Sequence, residues 1–304
     1  MYAIEATGLY KRYGEVIAVN GIDLAVKQGE IFGMLGPNGA GKTTTTEMLV
    51  GLRQPDAGVV KILSMDPKKE GAAIKARIGV QLQTSALFNH LTVRETLVLM
   101  ASFFPRCRPV DELLNLVDLQ EKANVQTRHL SGGQQQRLQV ALAMVNDGDL
   151  LFLDEPTTGL DPQARRRLWD IIEKMREEGK TVFLTTHYME EAEKLCDRVA
   201  VIDHGQIIAL GSPDELIAAH FGETAIELPA FSGLDDHMLA QLAGVSHIQR
   251  QNSQVTLYST AVPATVGALL ELAQKLGVSL ENLMIRRATL EDVFLKLTGR
   301  RIRE

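Results

Sequence analysis

The run 36-GPNGAGKTT-44 combines glycines, a lysine and two threonines at a spacing that can hold a polyphosphate. In the loop Gly36, Pro37, Asn38, Gly39, Ala40 and Gly41, the glycines let backbone N–H groups turn inward around phosphate oxygens. Lys42 then sets a cation on the β and γ phosphates, Thr43 offers a hydroxyl to Mg²⁺, and Thr44 closes the motif. The stretch 150-LLFLDEP-156 is an apolar strand that ends in two acids. A buried strand can carry acids only where it emerges, at the C-terminal edge where open α/β sheets bind ligands. Asp154 is therefore placed to hold Mg²⁺ through water, and Glu155 is the candidate base for the attacking water. In 130-LSGGQ-134, Ser131 and Gln134 fit a capping box ahead of a long helix. Gly132 and Gly133 in a first turn cost up to about 1 kcal/mol each relative to Ala. They make sense where bare N–H groups must come close to an anion. A second phosphate-binding turn in a chain with one P-loop implies that it serves a nucleotide held by another chain.

In order and spacing these motifs resemble the ATP-binding subunit of an ABC transporter, over about residues 2–220. The resemblance implies an α/β P-loop NTPase cassette: a RecA-like core, an antiparallel β subdomain and a helical subdomain at about 85–148. It implies ATP and Mg²⁺ as cofactors, with Lys42, Gln83, Glu155 and His187 as the catalytic set. Gln83, in 80-VQLQTSALF-88, would touch Mg²⁺ and the water and sense a membrane partner through the segment that follows; Leu82 stands where many members have Pro. His187, in 185-TTH-187, would hydrogen-bond the γ-phosphate; Asp161, in 158-TGLD-161, would reach across a dimer seam. Tyr13, in 10-YKRYGEVIAV-19, matches the aromatic that stacks on adenine. Metal ligation would fall to Thr43, Gln83 and Asp154, and Ser131, Gly132, Gly133 and Gln134 would contact the partner chain's ATP. The implied partners are a second copy or a homologous subunit, and an integral membrane permease. That places the chain at the cytoplasmic side of the membrane. The ending 289-TLEDVFLKLTGR-300 resembles the bacterial drug- and antibiotic-exporter branch.

These residues need particular elements beneath them. The stretches 3–10, 16–26 and 30–35 read as strands, 42–52 as a helix, and 59–63 and 78–82 as strands. From about 85 to 148 the pattern is mostly helical, with Thr92 and Glu95 forming a second capping box. The near-continuous apolar strands 150–156 and 181–187 have the character of a parallel sheet buried on both faces. A helix over 163–178 lies between them, and 165-RRR-167 reads as its solvated face. The stretches 198–203 and 206–210 form a hairpin, and Pro213 opens a helix to about 221. From near Gly222 the order becomes β-α-β-β-α-β, that of a small α+β ferredoxin-like domain covering 221–304. The tail 300-RRIRE-304 is too short to claim lipid binding.

Composition narrows the classes. Of 304 residues, 45% are hydrophobic and 23% charged, which is ordinary for a two-domain globular chain. A net charge of −6 argues against nucleic acid, since phosphate neutralisation needs a basic face. The two cysteines, Cys107 and Cys196, form no CxxC pair and suggest a reducing compartment. The first residues have no secretory pattern. The longest apolar runs, 97–104 and 140–145, are too short to span a bilayer, so a membrane role must come through a partner. The alternative is a non-transport ABC ATPase of the translation or DNA-repair type. Against it stand the single cassette, the short segment from Gln83 to Ser131, and the acidic charge.

Overall fold

The structure, a computed structural model, describes residues 1–83, 86–221, 224–230, 235–251, 254–277, 280 and 283–299. The sequence-predicted start of the second domain, near Gly222, and the tail 300–304 lie outside the described residues. Two compact units are built on Met1–Pro213 and on Asp214–Arg301.

In the first unit, β1 (Tyr2–Tyr13) and β2 (Val16–Lys27) pair antiparallel and lead to β3 (Ile31–Leu35) and α1 (Lys42–Leu49). Then come β4 (Ala57–Ile62), α2 (Gly71–Lys75) and β5 (Ile78–Gln81). The helical stretch holds α3 (Val93–Ala101), α4 (Val110–Leu116) and α5 (Gly132–Ala143). After it follow β6 (Leu150–Asp154), α6 (Pro162–Glu177), β7 (Thr181–Thr186), α7 (Met189–Leu195), β8 (Arg198–Asp203) and β9 (Gln206–Gly211). The short helix α2 has no clear signal in the sequence, and the N-terminal strands run several residues beyond their apolar alternation. Their extra length is explained by pairing, because β1 takes β2 on one edge and β4 on the other.

A six-stranded sheet runs in the order β5-β6-β7-β3-β8-β9, parallel except for the last strand. Strands β3, β6 and β7 are buried at every position, which is why their sequences read as near-continuous apolar runs. Phe32, Phe183 and Phe152 sit opposite one another on the three neighbouring strands, with ring centroids 6.0 and 5.5 Å apart. This row locks the register, because a one-residue slip would turn all three rings to the other face. Locked register places Asp154 against Thr185 and Leu35 against Thr186, so the chemistry-bearing ends of three strands meet at one edge.

The helix α8 (Pro213–His220) crosses the boundary between the units. The second unit contains β10 (Thr224–Pro229), α9 (Asp236–Ala240), β11 (Val245–Gln251), β12 (Gln254–Ser259), α10 (Val262–Leu276), β13 (Met284–Arg287) and α11 (Leu290–Thr298). Its sheet order is β11-β12-β10-β13, with every neighbour antiparallel. That is the split βαβ arrangement, closed by one further helix. Ile226, Leu228, Val255, Leu257 and Leu269 form its core against α10.

Candidate nucleotide-binding site

The loop from Gly36 to Gly41 leaves the C-terminal end of β3 and turns into α1. Gly41 is required there: its φ is +105°, and a Cβ would lie 2.3 Å from the Ala18 carbonyl oxygen. It caps α1 without a side-chain hydrogen bond, so the first-turn N–H groups have no side chain to satisfy them. That turn, with the positive end of the helix dipole behind it, is suited to a phosphate. Lys42 is 5% exposed and its Nζ donates to the carbonyls of Gly36 (2.8 Å) and Pro37 (3.2 Å). It also lies 3.0 Å from Glu155 Oε1.

The two acids at the end of β6 behave differently. Asp154 is fully buried; Oδ1 accepts from Thr185 Oγ1, while Oδ2 has no hydrogen-bond partner. Burial pushes its carboxyl above the usual range, against the pull of the Thr185 and Thr43 hydroxyls. Glu155 takes a left-handed backbone, φ 49°, unusual for a residue with a side chain. Its N–H donates to the Thr185 carbonyl at 3.1 Å and lies 3.0 Å from the Thr185 hydroxyl. Gln83 Nε2 (3.3 Å) and Thr158 Oγ1 (3.1 Å) both donate to Glu155 Oε2. Burial would raise the Glu155 carboxyl, but His187 and Lys42 outweigh it and hold the group at about 2. His187 Nδ1 is 3.2 Å from Glu155 Oε2, outside hydrogen-bonding alignment.

A cavity of about 390 Å³ opens over this edge. Among the expected residues, Tyr13, Asn38, Gly39, Gly41, Lys42, Thr43, Thr44, Gln83 and Glu155 line it. Asp154, Gly36, Pro37, Ala40 and His187 do not line it, and Asp154 is reached by the hydroxyl of Thr43, which does. Asp154 and Thr43 fit a hard cation well: a buried carboxylate oxygen without a donor, beside a hydroxyl, is an oxygen pair of the kind Mg²⁺ takes.

Ser131, Gly132, Gly133, Gln134 and Asp161 do not line this cavity. Ser131 caps α5: its hydroxyl accepts from the Gln134 N–H, and the Gln134 side chain accepts from the Ser131 N–H. The two glycines divide their duties, which the sequence does not reveal. At Gly132 a side chain would point into open space, leaving the N–H groups approachable. At Gly133 a Cβ would meet the Ala164 Cβ at 3.3 Å, so its bareness serves the packing of α5 on α6. Asp161 caps α6, accepting from the Ala164 N–H at 2.8 Å.

The expectation of a solvated face over 165–167 holds for Arg166 and Arg167, which are exposed, Arg167 pairing with Asp118 at 3.0 Å. It is corrected at Arg165, which is half-buried: its guanidinium stacks 4.1 Å from the Tyr188 ring centre, and its Nε is buried. Sequence reasoning also missed Thr185, whose hydroxyl donates to the Asp154 carboxylate and accepts from the Glu155 N–H; the signal was a polar pair ending an otherwise apolar strand.

A family model described as ABC transporter matches residues 19–158. The chain is 43% identical over 310 residues to Nod factor export ATP-binding protein I of Paraburkholderia xenovorans (strain LB400), covering 99% of both chains. It is 41% identical over 305 residues to the protein of the same name from Rhizobium sp. (strain N33), covering 98% of this chain and 97% of that one. Among solved structures, the dimeric post-hydrolysis state of the ATP-binding cassette MJ0796 bound to ADP and Pi aligns with a TM-score of 0.63 and 27% identity. It covers 69% of this chain and 98% of that one. The whole-length relatives thus span both units, while that cassette matches about the length of the first.

Proposed function

The chain belongs to the ABC transporter family as one of its ATP-binding subunits, and on that premise we propose that each of its reaction centres is completed by a second copy or a homologous subunit. It is an ATPase that powers an exporter. One observation carries the half-site reading. Lys42, Gln83, Glu155 and Tyr13 converge on one cavity, while the Ser131–Gln134 turn, with its exposed and approachable first glycine, does not line it. Two chains facing each other would bring each turn to the other's nucleotide.

Within the site, Mg²⁺ would be held by Thr43 and Asp154 with Gln83, and would neutralise phosphate charge. Lys42 is the group that must change partners. Beside Glu155 it keeps that carboxylate strongly acidic and a weak base; drawn toward a γ-phosphate, it leaves Glu155 more basic and free to orient the attacking water. Gln83 and Thr158 hold the carboxylate from the other side, and His187, 3.2 Å from Glu155 Oε2, would hydrogen-bond the transferred group. Tyr13, at the cavity rim and 39% exposed, would stack on the base.

The membrane partner is read from a second cavity of about 460 Å³ that adjoins the Gln83 segment. Leu82, Ala86, Leu87, Met100 and Phe104 line it, and Phe103 beside it is 70% exposed. A segment of a membrane subunit seated there would touch the chain that carries Gln83. No helix among the described residues is long and apolar enough to cross a membrane, which suits a peripheral subunit on the cytoplasmic side. The relatives compared are named for Nod factor export, so a cargo of that kind is favoured over a drug or antibiotic. The second unit is read as an accessory that steadies the dimer.

Glu155→Gln tests the assignment. It keeps ATP binding while hydrolysis drops by roughly 10²–10⁴-fold, the loss expected for removing a general base. Equal turnover in variant and wild type would reject the role.

A further inference from the structure

Two cations stand over the ring of Tyr13, at the rim of the nucleotide cavity. The guanidinium of Arg53 lies 5.2 Å from the ring centre and the ammonium of Lys11 5.7 Å. Neither cation lines the cavity, while Tyr13 does, so whatever they do for a bound nucleotide they do through the ring. Each is matched by its own acid: Arg53 Nε donates to Glu47 Oε2 at 2.6 Å, and Lys11 Nζ donates to Asp56 Oδ1 at 2.6 Å. Two cations beside one ring repel each other, and the two carboxylates offset that repulsion. With their charge met locally, neither is suited to hold a phosphate. Partly exposed ion pairs add little to folding stability, so stability gives no strong reason for two of them around one ring.

The anchoring of these groups gives a reason. Glu47 belongs to α1, the helix that opens with Lys42 and Thr43 at the phosphate-binding turn. Arg53 follows that helix, and the N–H groups of Leu52 and Arg53 both donate to the Glu47 carbonyl, at 2.9 and 3.0 Å. Arg53 is therefore fastened to α1 by backbone and by side chain. Asp56 ties the same loop to β1: its carboxylate accepts from the Arg12 N–H at 2.8 Å, and its own N–H donates to the Tyr10 carbonyl at 2.9 Å. One short helix thus carries the phosphate-binding groups at its start and, just past its end, the cation that rests on the Tyr13 ring.

We propose that Arg53 is a positioning residue for base recognition. Held by Glu47, it fixes the Tyr13 ring at a set place relative to the phosphate-binding turn. A cation is attracted to the electron-rich face of an aromatic ring, which keeps this half-exposed side chain from swinging into solvent. Lys11 adds a second, more distant hold. Arg53 itself touches no part of the nucleotide. The inference rests on the reading of Tyr13 as the ring that stacks on the base, and adds to it the group that holds the ring in place.

The test measures dissociation constants of the full chain for two probes, a non-hydrolysable ATP analogue and inorganic tripolyphosphate, which has no base. Arg53→Met is expected to weaken the analogue about threefold to tenfold and to leave tripolyphosphate within about twofold. Turnover at saturating ATP stays within about twofold, since the reacting end of the nucleotide is held by other residues. A partly exposed position of this kind leaves the melting temperature nearly unchanged. Arg53→Lys, which keeps a cation for both Glu47 and the ring, returns the analogue to within about twofold of wild type. Lys11→Met gives a smaller loss with the same dependence on the base. On a Tyr13→Ala background, Arg53→Met costs nothing further, because the ring it acts through is gone. The inference is overturned if Arg53→Met binds the analogue as wild type does, if it weakens both probes alike, if Arg53→Lys is no better than Arg53→Met, or if the loss persists without the Tyr13 ring. Tyr13→Ala alone separates the two readings. If it binds the analogue as tightly as wild type, the reading of Tyr13 fails, and Arg53 has no ring to act through; if it binds weakly while Arg53→Met is silent, only the inference about Arg53 fails.

Discussion

Asp154 and Asp292 are both aspartates sealed from water, at 0% and 3% exposure, yet they are driven in opposite directions. Asp292, in the second unit, is held below the usual carboxylate range despite its burial. Arg286 grips both of its oxygens at 2.5 and 3.0 Å, Tyr258 donates to Oδ1 at 2.8 Å, and the Thr289 N–H and hydroxyl reach Oδ2 at 2.8 and 3.1 Å. Every lone pair is used, Arg286 also holds Glu227, and the cluster fastens α11 onto the sheet. Asp154 has no cation gripping it and only the hydroxyls of Thr185 and Thr43 beside it, Oδ2 is left without a hydrogen-bond partner, and burial pushes its carboxyl up. The same side chain is a rivet where its partners are complete and a binding group where they are left short. The first unit repeats the shortfall at His187, Thr157 and Glu191, and adds a left-handed backbone at Glu155. At the end of β6, a buried carboxylate oxygen without a donor sits beside a left-handed backbone at Glu155.

The comparison can be broken by showing that either cluster does the other's work. The largest effect is expected at Lys42. Lys42→Ala should lower ATP turnover by about 10²–10³-fold, as for loss of one charge-stabilising donor, while shifting the melting temperature little. A large loss of stability at unchanged turnover would reverse the two roles. Arg286→Met should do the opposite. It leaves Asp292 buried without its cation and should cost about 3 kcal/mol of unfolding free energy in denaturant titration, with turnover per folded molecule unchanged. Tyr13→Ala comes next. Removing a stacking ring should weaken ATP binding by about 1–2 kcal/mol, and Tyr13→Phe should restore it.

The smallest effect sharpens the comparison through pH. The Glu155 carboxyl is lowered from 4.5 to about 2, so its contribution to stability is complete above about pH 4.5 and is lost as pH falls toward 2. Glu155→Gln has no such contribution. The difference in melting temperature between wild type and that variant should therefore shrink from pH 6 to pH 3. A constant difference would remove the Lys42–Glu155 pairing from the account.

What the sequence shows of all this follows the range of the forces involved. The strand edge is legible because parallel strands buried on both faces must read as apolar runs, and Asp154, Glu155 and His187 interrupt such runs at their ends. The two capping boxes at Thr92 and Ser131 are local, closing from N-cap to N3, and found as written. The βαββαβ order of the second unit shows in alternating periodicities. The antiparallel pairing of β1 with β4, about fifty residues apart, does not show, because no local pattern names a partner strand. Nor does the contact of Arg165 with Tyr188, since a helix face that looks charged in one dimension can still lie against another helix. Glu191 is invisible for the same reason: a glutamate in an acidic helical run looks solvated until the fold buries it.

The central claim is that one chain carries only half of each reaction centre. Turnover per molecule, measured against protein concentration at saturating ATP and Mg²⁺, tests it most directly. The account predicts a steep rise with concentration that levels off as dimer forms, and almost no turnover in dilute monomer. A flat line, with monomer hydrolysing ATP as fast per molecule as concentrated protein, would contradict it.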